Sequence, residues 1–412
     1  MHYKQPILVF CLALSYCGVV TGQEDLNSIY SAYGIGDYRM RDQNAYMGMG
    51  NVGVAMPSTY SINEINPSSL AWLPKDNLKL ELTLGGLSTR YINENVNASA
   101  GDFTISRVAL SAQFIGAVRT VVGLRRFSQV QYYTTASRGI AGTETNTTSD
   151  VEGNGGLYQI YTGNAIRIGK NLAVGANIGF IFGSINAKES MMLNNGMTLV
   201  SDANKYYHQA SIGGGVQYQI SGEKNKWILG AFYEPQIKLN VEEEAKLLNQ
   251  SDEILAEKNN AYGKFLFPQK FGVGISLSRN SFTGSIDMIG HLWSATKYKG
   301  NHFTTTDAYS FSAGIRHQFT RTTYWGQVPG ISLHAGFNRE QSYLVINNNQ
   351  IVSNAATIGA TFPSKNNLNF YSVGCKIGSR GIAVYPLIKE NFFEFNFNFS
   401  LGGFLYKDKK YD

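Results

Sequence analysis

The sequence predicts an all-β protein: a transmembrane antiparallel β-barrel of about fourteen strands with an N-terminal hatch inside the lumen. Three observations carry that prediction. Large apolar residues recur at every second position, as in Phe393, Phe395, Phe397, Phe399 and Leu401, with Glu394, Asn396, Asn398 and Ser400 between them. Period two means a strand with two unlike faces. The composition (44 Gly, 25 Tyr and 23 Phe, with only 16% charged residues) suits many strands and tight turns with aromatic side chains left over for an interface. Short turns also alternate with long polar connections along the chain, the pattern of a barrel whose long loops all lie on one side of a membrane.

The elements follow in order. Residues 1–22 read as a signal peptide: Lys4 precedes the apolar run ILVFCLALSYCGVV, and Val20-Thr21-Gly22 places small residues before a cleavage site at Gln23. Cys11 and Cys17 leave with it, so the mature chain keeps only Cys375 and no internal disulfide is expected. Residues 23–75 show no sustained alternation and are rich in Gly and Pro, which reads as an irregular, compact hatch. From residue 76 to 406 the alternation gives strands at 76–93, 101–115, 118–134, 155–168, 172–188, 204–220, 226–241, 261–279, 281–293, 306–320, 330–340, 354–362, 367–379 and 390–404. Short turns fall at Gly169-Lys170-Asn171, at Asn280 and at 363–366; long loops are expected at 135–154, 189–203, 242–260 and 341–353. Strands of this length cross a bilayer, and closure leaves no backbone group unpaired in lipid. The phenylalanine face of the last strand is therefore expected to look at lipid, with Trp227, Tyr233, Trp293, Tyr309 and Tyr406 as interfacial girdle residues. A charged tail, 407–412, ends the chain.

About fourteen strands enclose a lumen wider than their own side chains fill. The segment 23–75 is the stretch long enough to plug it. Strand parity places Lys79, Glu81, Glu234, Lys238, Asp287, His291, Arg316, His334, Lys376 and Glu394 in that lumen. The net charge of +6 comes without a basic run longer than Lys407-Asp408-Lys409-Lys410, so no nucleic-acid site is expected.

Several stretches resemble the FadL, OmpP1 and TodX family of outer-membrane channels for hydrophobic compounds. GMGNVGVAM (48–56) followed by INEINPSSLAWL (62–73) is similar to that family's hatch, with Asn66-Pro67-Ser68 where the family has Asn-Pro-Ala. LGAFYEPQIKLNVEEEAKL (229–247) and FPQKFGVGISLSRNSFTGSIDMIGHLWS (267–294) resemble paired strands of its second half, and the C-terminal SRGIAVYPLIKENFFEFNFNFSLGGFLYKDKKYD looks like Bacteroidetes members of the group. Two departures stand out: Ser68 itself, and an end that runs past Phe404 into charges. The resemblance implies a monomeric, cofactor-free bacterial outer-membrane transporter. Hydrophobic small molecules or lipids would be captured outside and released sideways through a kinked third strand. It also leaves open a PorV-like role as a barrel partner in protein secretion.

On that mapping the third and fourth outer loops are 189–203, with Met191, Met192, Leu193, Met197 and Leu199, and 242–260, with Leu247, Leu248, Ile254 and Leu255 at helical spacing. Soft apolar side chains such as Met191, Met192, Leu247 and Leu248 adapt to varied ligands, and the second loop suits a short amphipathic helix. A fatty acid carboxylate needs a cation, for which Arg316 ranks first, Lys376 second, with Arg125 and Arg126 as further candidates. Porin-like lumens also hold such charges simply as mutually paired residues. Pro67 fixes its own φ and holds Asn66 extended, so that the Asn66 amide can tie hatch to wall as a gate.

Enzymatic readings are weaker. Gly48-Met49-Gly50-Asn51-Val52-Gly53 fits G-x-G-x-x-G but lacks the strand and helix of a dinucleotide fold. Ser285, Asp287 and His291 share one face of a strand, inviting a lipid-hydrolase reading, yet residues two apart on a strand are about 6.6 Å apart, too far for a nucleophile and its base. The six His show no metal-ligand spacing, and no metal, cofactor or catalytic residue is expected.

Overall fold

The computed structural model describes residues 28–404 apart from 42–43, 75–76, 94–96, 116, 140–145, 194–195, 301–302, 324–325 and 385–386. The signal peptide, Tyr406 and the tail lie outside the described residues.

Fourteen antiparallel strands form the wall: β1 Asn77–Ile92, β2 Asn97–Ile115, β3 Val118–Gly139, β4 Asn146–Ile168, β5 Leu172–Met192, β6 Thr198–Ser221, β7 in two pieces (Asn225–Glu234 and Ile237–Leu248), β8 in two pieces (Ile254–Phe267 and Lys270–Arg279), β9 Phe282–His291, β10 Ala308–Thr323, β11 Gly326–Ile346, β12 Asn349–Pro363, β13 Phe370–Arg380 and β14 Lys389–Phe404. Sequential strands pair, and β14 closes the ring on β1 from Lys389↔Ile92 to Phe404↔Asn77. The alternation is read correctly at that seam. Phe393 and Leu401 are exposed on the outer face, while Glu394, Asn396, Asn398 and Ser400 are buried inward.

Three expectations are corrected. Among the described residues the connections at 135–154, 189–203, 242–260 and 341–353 are mainly strand extensions rather than loops, the last of them closing at the tight turn Asn347-Asn348. Residues 242–260 in particular form no amphipathic helix. Glu242–Leu248 pair with β6 on one side and with Ile254–Tyr262 on the other, and register shifts at Ile254/Ala256 and Lys258/Ala261 break the period that strand reading depends on. Lys238 does not face the lumen. Proline cannot donate to a ladder, and Pro235-Gln236 and Pro268-Gln269 interrupt β7 and β8 at one level, so parity flips across them. Lys238 is exposed, whereas Leu239, Phe265 and Phe267 point inward. Trp293 is no girdle residue either; it is 1% exposed and stacks on Tyr343 with ring centroids 4.2 Å apart. Trp227 and Tyr233 are exposed on the lipid face, 38% and 50%.

The N-terminal segment lies inside this wall. It starts beside β14 at the long-hairpin end, where the Ser28 hydroxyl donates to Glu390 and the Tyr30 hydroxyl to the Ile388 carbonyl. It then runs toward the short-turn end, where Trp72 donates to Gln217. Residues 44–70 are almost wholly buried. Short 3-10 turns at Ile29–Ala32, Met47–Met49 and Pro67–Trp72 are its regular elements apart from Asp37–Tyr38, which pairs with β3. Because it is irregular, its backbone groups must find partners elsewhere, and the inward polar residues of the wall provide them. Thr357 on β12 accepts from the Gly50 N–H and donates to the Gly48 carbonyl, and Lys79 and Ser400 both donate to the Tyr60 carbonyl.

Wall glycines set how closely the hatch approaches. A Cβ on Gly314 or Gly336 would run into the backbone of Met49 and Gly50. Gly336→Val is therefore expected to let the barrel form but leave residues 44–74 unseated. Limited proteolysis should cut there in the variant and not in the parent; equal resistance would show that the hatch can shift aside.

Candidate functional site

Below the long hairpins the interior falls into compartments. A vestibule of about 440 Å³ opens between β3, β5, β6, β7 and β8, walled by Val130, Tyr132, Ile185, Tyr207, Val241 and Phe265. At its edge Glu243 lies 2.8 Å from Lys258 and 3.5 Å from Lys205, and the hydrogen bond from Lys258 holds the Glu243 carboxyl below its usual range. Two lysines on one carboxylate leave a surplus positive charge beside an aromatic wall. Beneath it, Tyr30, Ile35 and Met40 of the hatch pack with Leu157, Ile181, Leu239, Phe267, Trp293 and Tyr343 into an apolar layer.

Deeper still is a polar chamber of about 100 Å³ where charges meet in pairs. Arg39 contacts Glu394 at 2.6 Å, and Arg380 contacts Glu390 at 2.7 Å and Asp37 at 2.9 Å. Lys376 lies 4.0 Å from both Glu340 and Glu394. Burial makes such pairs costly to break on one side only. The tightest clamp joins hatch and wall: Arg41 contacts Asp287 on β9 at 2.5 Å, with side chains 1% and 0% exposed. The second Asp287 oxygen accepts from the Gly53 and Val54 N–H groups at 2.7 and 3.0 Å. Asp287 is thereby saturated. Ser285 donates to the Ile275 carbonyl instead, and Ser285, Asp287 and His291 form no relay.

The ladder is interrupted between β2 and β3, as it also is where Ile254–Phe267 of β8 pair with β7 alone. β2 and β3 pair only from Arg107↔Arg125 to Ile115↔Val118. Farther out, residues 97–105 of β2 pair with β1 alone, and β3 from Ser128 outward pairs with β4, its edge toward β2 covered at Ser128 and Gln129 by Tyr38 and Asp37 of the hatch. Bulges flank the break, at Arg126/Ser128 on β3 and at Thr83/Leu84 against β2. Strand three is thus irregular at the place where the resemblance implies a sideways exit. Polar side chains span the gap: Gln129 donates to Asp102 at 3.0 Å, and Arg126 lies 3.8 Å from Asp102.

The structure disperses the other residues singled out in the sequence. Arg316 lies under the hatch, hydrogen-bonded to the Tyr60 hydroxyl and to Thr283 at 3.2 Å. Arg125 donates to Gln159 at 2.8 Å and stands over the Tyr161 ring. Lys376 faces the polar chamber, and Arg126 the gap. Met191 and Met192 pair with Leu199 and Thr198 at the tip of the β5–β6 hairpin, and Leu247 and Leu248 pair with Ser201 and Val200 of β6, so these candidates lie at the hairpin tips and not in the vestibule wall. Asn66 caps the Pro67–Trp72 turn, its oxygen accepting from the Ser68 N–H and hydroxyl. Its amide donates to the wall carbonyls of Val216 and Ala231 at 3.2 Å each and to Val54 at 2.9 Å. Sequence reasoning missed Arg39, Arg41, Asp102 and Arg380. Arg39-Met40-Arg41 carried a legible signal, being two cations in a segment whose other charges are Glu24, Asp25, Asp37, Asp42, Glu64 and Lys75.

A closed fourteen-stranded wall with the N-terminal segment inside it and a break beside strand three is a barrel of the FadL fold. More particularly, the chain belongs to the BamG family, whose sequence model matches residues 3–412. Among solved structures it is similar to a FadL homologue from Pseudomonas aeruginosa (TM-score 0.62, 11% identity, covering 90% of this chain and 100% of that one). The toluene transporter TodX of Pseudomonas putida (0.58, 14%, 89% and 99%) and the toluene transporter TbuX of Ralstonia pickettii (0.57, 14%, 88% and 99%) share the fold. None of the curated proteins matches the chain.

Proposed function

We propose that the protein is a bacterial outer-membrane channel through which small hydrophobic molecules, long-chain fatty acids among them, pass by diffusion, entering at the vestibule and leaving sideways between β2 and β3. The observation that carries this reading is the unpaired stretch of wall beside β3, held shut by the hatch strand Asp37–Tyr38 and by polar side chains rather than by a ladder. Carbonyls and amides exposed to hydrocarbon cost several kcal/mol each. An open seam is therefore retained only where something other than bilayer lipid lies against it. The vestibule supports the same reading, since its apolar wall and surplus lysine suit a hydrophobe with a carboxylate at one end.

Asn66 is the proposed seat of the hatch. Asn66→Ala removes donors to Val54, Val216 and Ala231 together. Leaving buried acceptors unpaired costs on the order of 1–3 kcal/mol, enough to shift a gate about tenfold without unfolding a barrel. The variant should take up hydrophobic compounds at a changed rate, measured in cells with a labelled fatty acid and with toluene, while its heat-modifiable gel migration stays normal. Uptake equal to the parent for every substrate would reduce Asn66 to a turn residue. A stoichiometric protein recovered with the native barrel, with uptake indifferent to deletion, would favour the secretion-partner role instead.

A further inference from the structure

The outer wall carries a feature that passage through the lumen does not use. Across β7 to β11 the lipid-facing side is hollowed into an apolar groove of about 530 Å³, within the range of roughly 300–1,000 Å³ typical of small-molecule sites. The hollow arises because large and small side chains alternate along the ladder rows. One row runs Trp227, Leu277, Gly284, Ile315, Ala335, and the next runs Ile275, Ile286, Ala313, Phe337. Trp227, Ile315 and Phe337 stand 38%, 61% and 44% exposed as walls, while a Cβ on Gly284 would meet nothing within 4 Å.

The groove ends at a cation. One row closer to the short turns, at the position paired with Asn225 and Phe282, the lipid-facing residue is Arg279. Lys224, in the adjoining turn, directly precedes Asn225. Both are exposed, and among the described residues neither has a carboxylate within 4 Å. Trp227 marks this level as a membrane interface, where cations meet lipid headgroups.

We propose that the groove is a binding site for an anionic phospholipid, its acyl chain lying along Gly284 and Ala313 and its phosphate taken by Arg279 and Lys224. A chain without a headgroup would leave the cations unmatched; a headgroup without a chain would leave the hollow unfilled. An acidic protein would satisfy the cations but not the apolar walls, so the lipid is the occupant that fits both.

The full chain, purified in mild detergent, can be tested by native mass spectrometry with phosphatidylglycerol or phosphatidylcholine added at equal concentration. The parent should retain phosphatidylglycerol over phosphatidylcholine by about fivefold for each cation engaged. Arg279→Gln with Lys224→Gln should abolish that preference, Arg279→Lys should keep most of it, and Gly284→Leu should reduce retention of both lipids. Heat-modifiable migration identifies variants that fail to fold, and Lys188→Gln on β5, a lysine away from both the groove and the vestibule lining, should leave the preference intact. Equal retention of the two lipids by the parent, or an unchanged preference in the Arg279/Lys224 variant, overturns the proposal. Displacement by inorganic phosphate as effective as by lipid would mean an anion site without a lipid, and would overturn it equally.

Discussion

Asp287→Ala is expected to unseat the hatch. The carboxylate meets the Arg41 guanidinium and the N–H groups of Gly53 and Val54 at once, all of them buried. Its removal leaves the buried Arg41 cation without its carboxylate and the Gly53 and Val54 N–H donors unpaired. Losing one partner of a buried pair costs about 3–5 kcal/mol, a shift of roughly two to nearly four orders of magnitude in the seated fraction. Planar-bilayer recordings should show a larger and noisier conductance than the parent, and protease should reach residues 44–74 in folded barrels. Combining Asp287→Leu with Arg41→Met should restore only part of the seating, because the Gly53 and Val54 donors stay unpaired. A parent-like conductance in Asp287→Ala would mean that the hatch is held mainly by its other contacts.

Bridging the seam between β2 and β3 should stop sideways passage. With Cys375→Ser removing the one cysteine of the described residues, Asp102→Cys and Gln129→Cys place thiols on side chains that touch across the break. A short bis-maleimide joining them is expected to abolish uptake of hydrophobic compounds while heat-modifiable migration persists. Each single-cysteine barrel treated in the same way should retain uptake. Undiminished uptake by the bridged barrel would place the route elsewhere.

Sequence reading succeeded where one local rule governs. Membrane-facing and lumen-facing residues alternate along most of the wall, and each of the fourteen strands overlaps the span that alternation marks, though several run longer. It failed where that rule is interrupted. Pro235 and Pro268 move Lys238 to the outside and Phe265 and Phe267 to the inside, and nothing in the local pattern announces a flip. The long hairpins were hidden because their outer parts are flanked by polar surroundings on both faces, so alternation fades although the ladder continues. The site was less legible still. Asn66 was marked by its proline, but the partners of Arg41, Asn66 and Arg316 lie 246, 150 and 256 residues away, and proximity of that kind is decided by closure of the ring rather than by spacing.

Those separations bear on how the molecule is made. The hatch is synthesised before any strand of the wall, yet it rests on β1 and β14 as well as on β9 and β12, and β1 and β14 come side by side only when the ring closes. Loop-closure entropy must therefore be met before most of its hydrogen bonds can form. Pairing of β14 with β1 is then the committing step, after which the N-terminal segment is enclosed by the ring and tethered to it at β1. In refolding followed by pulse-labelled amide exchange, protection of residues 44–70 should rise in the same kinetic phase as the β14–β1 seam, whereas the β3–β4 and β5–β6 hairpins, whose contacts are local, should become protected earlier.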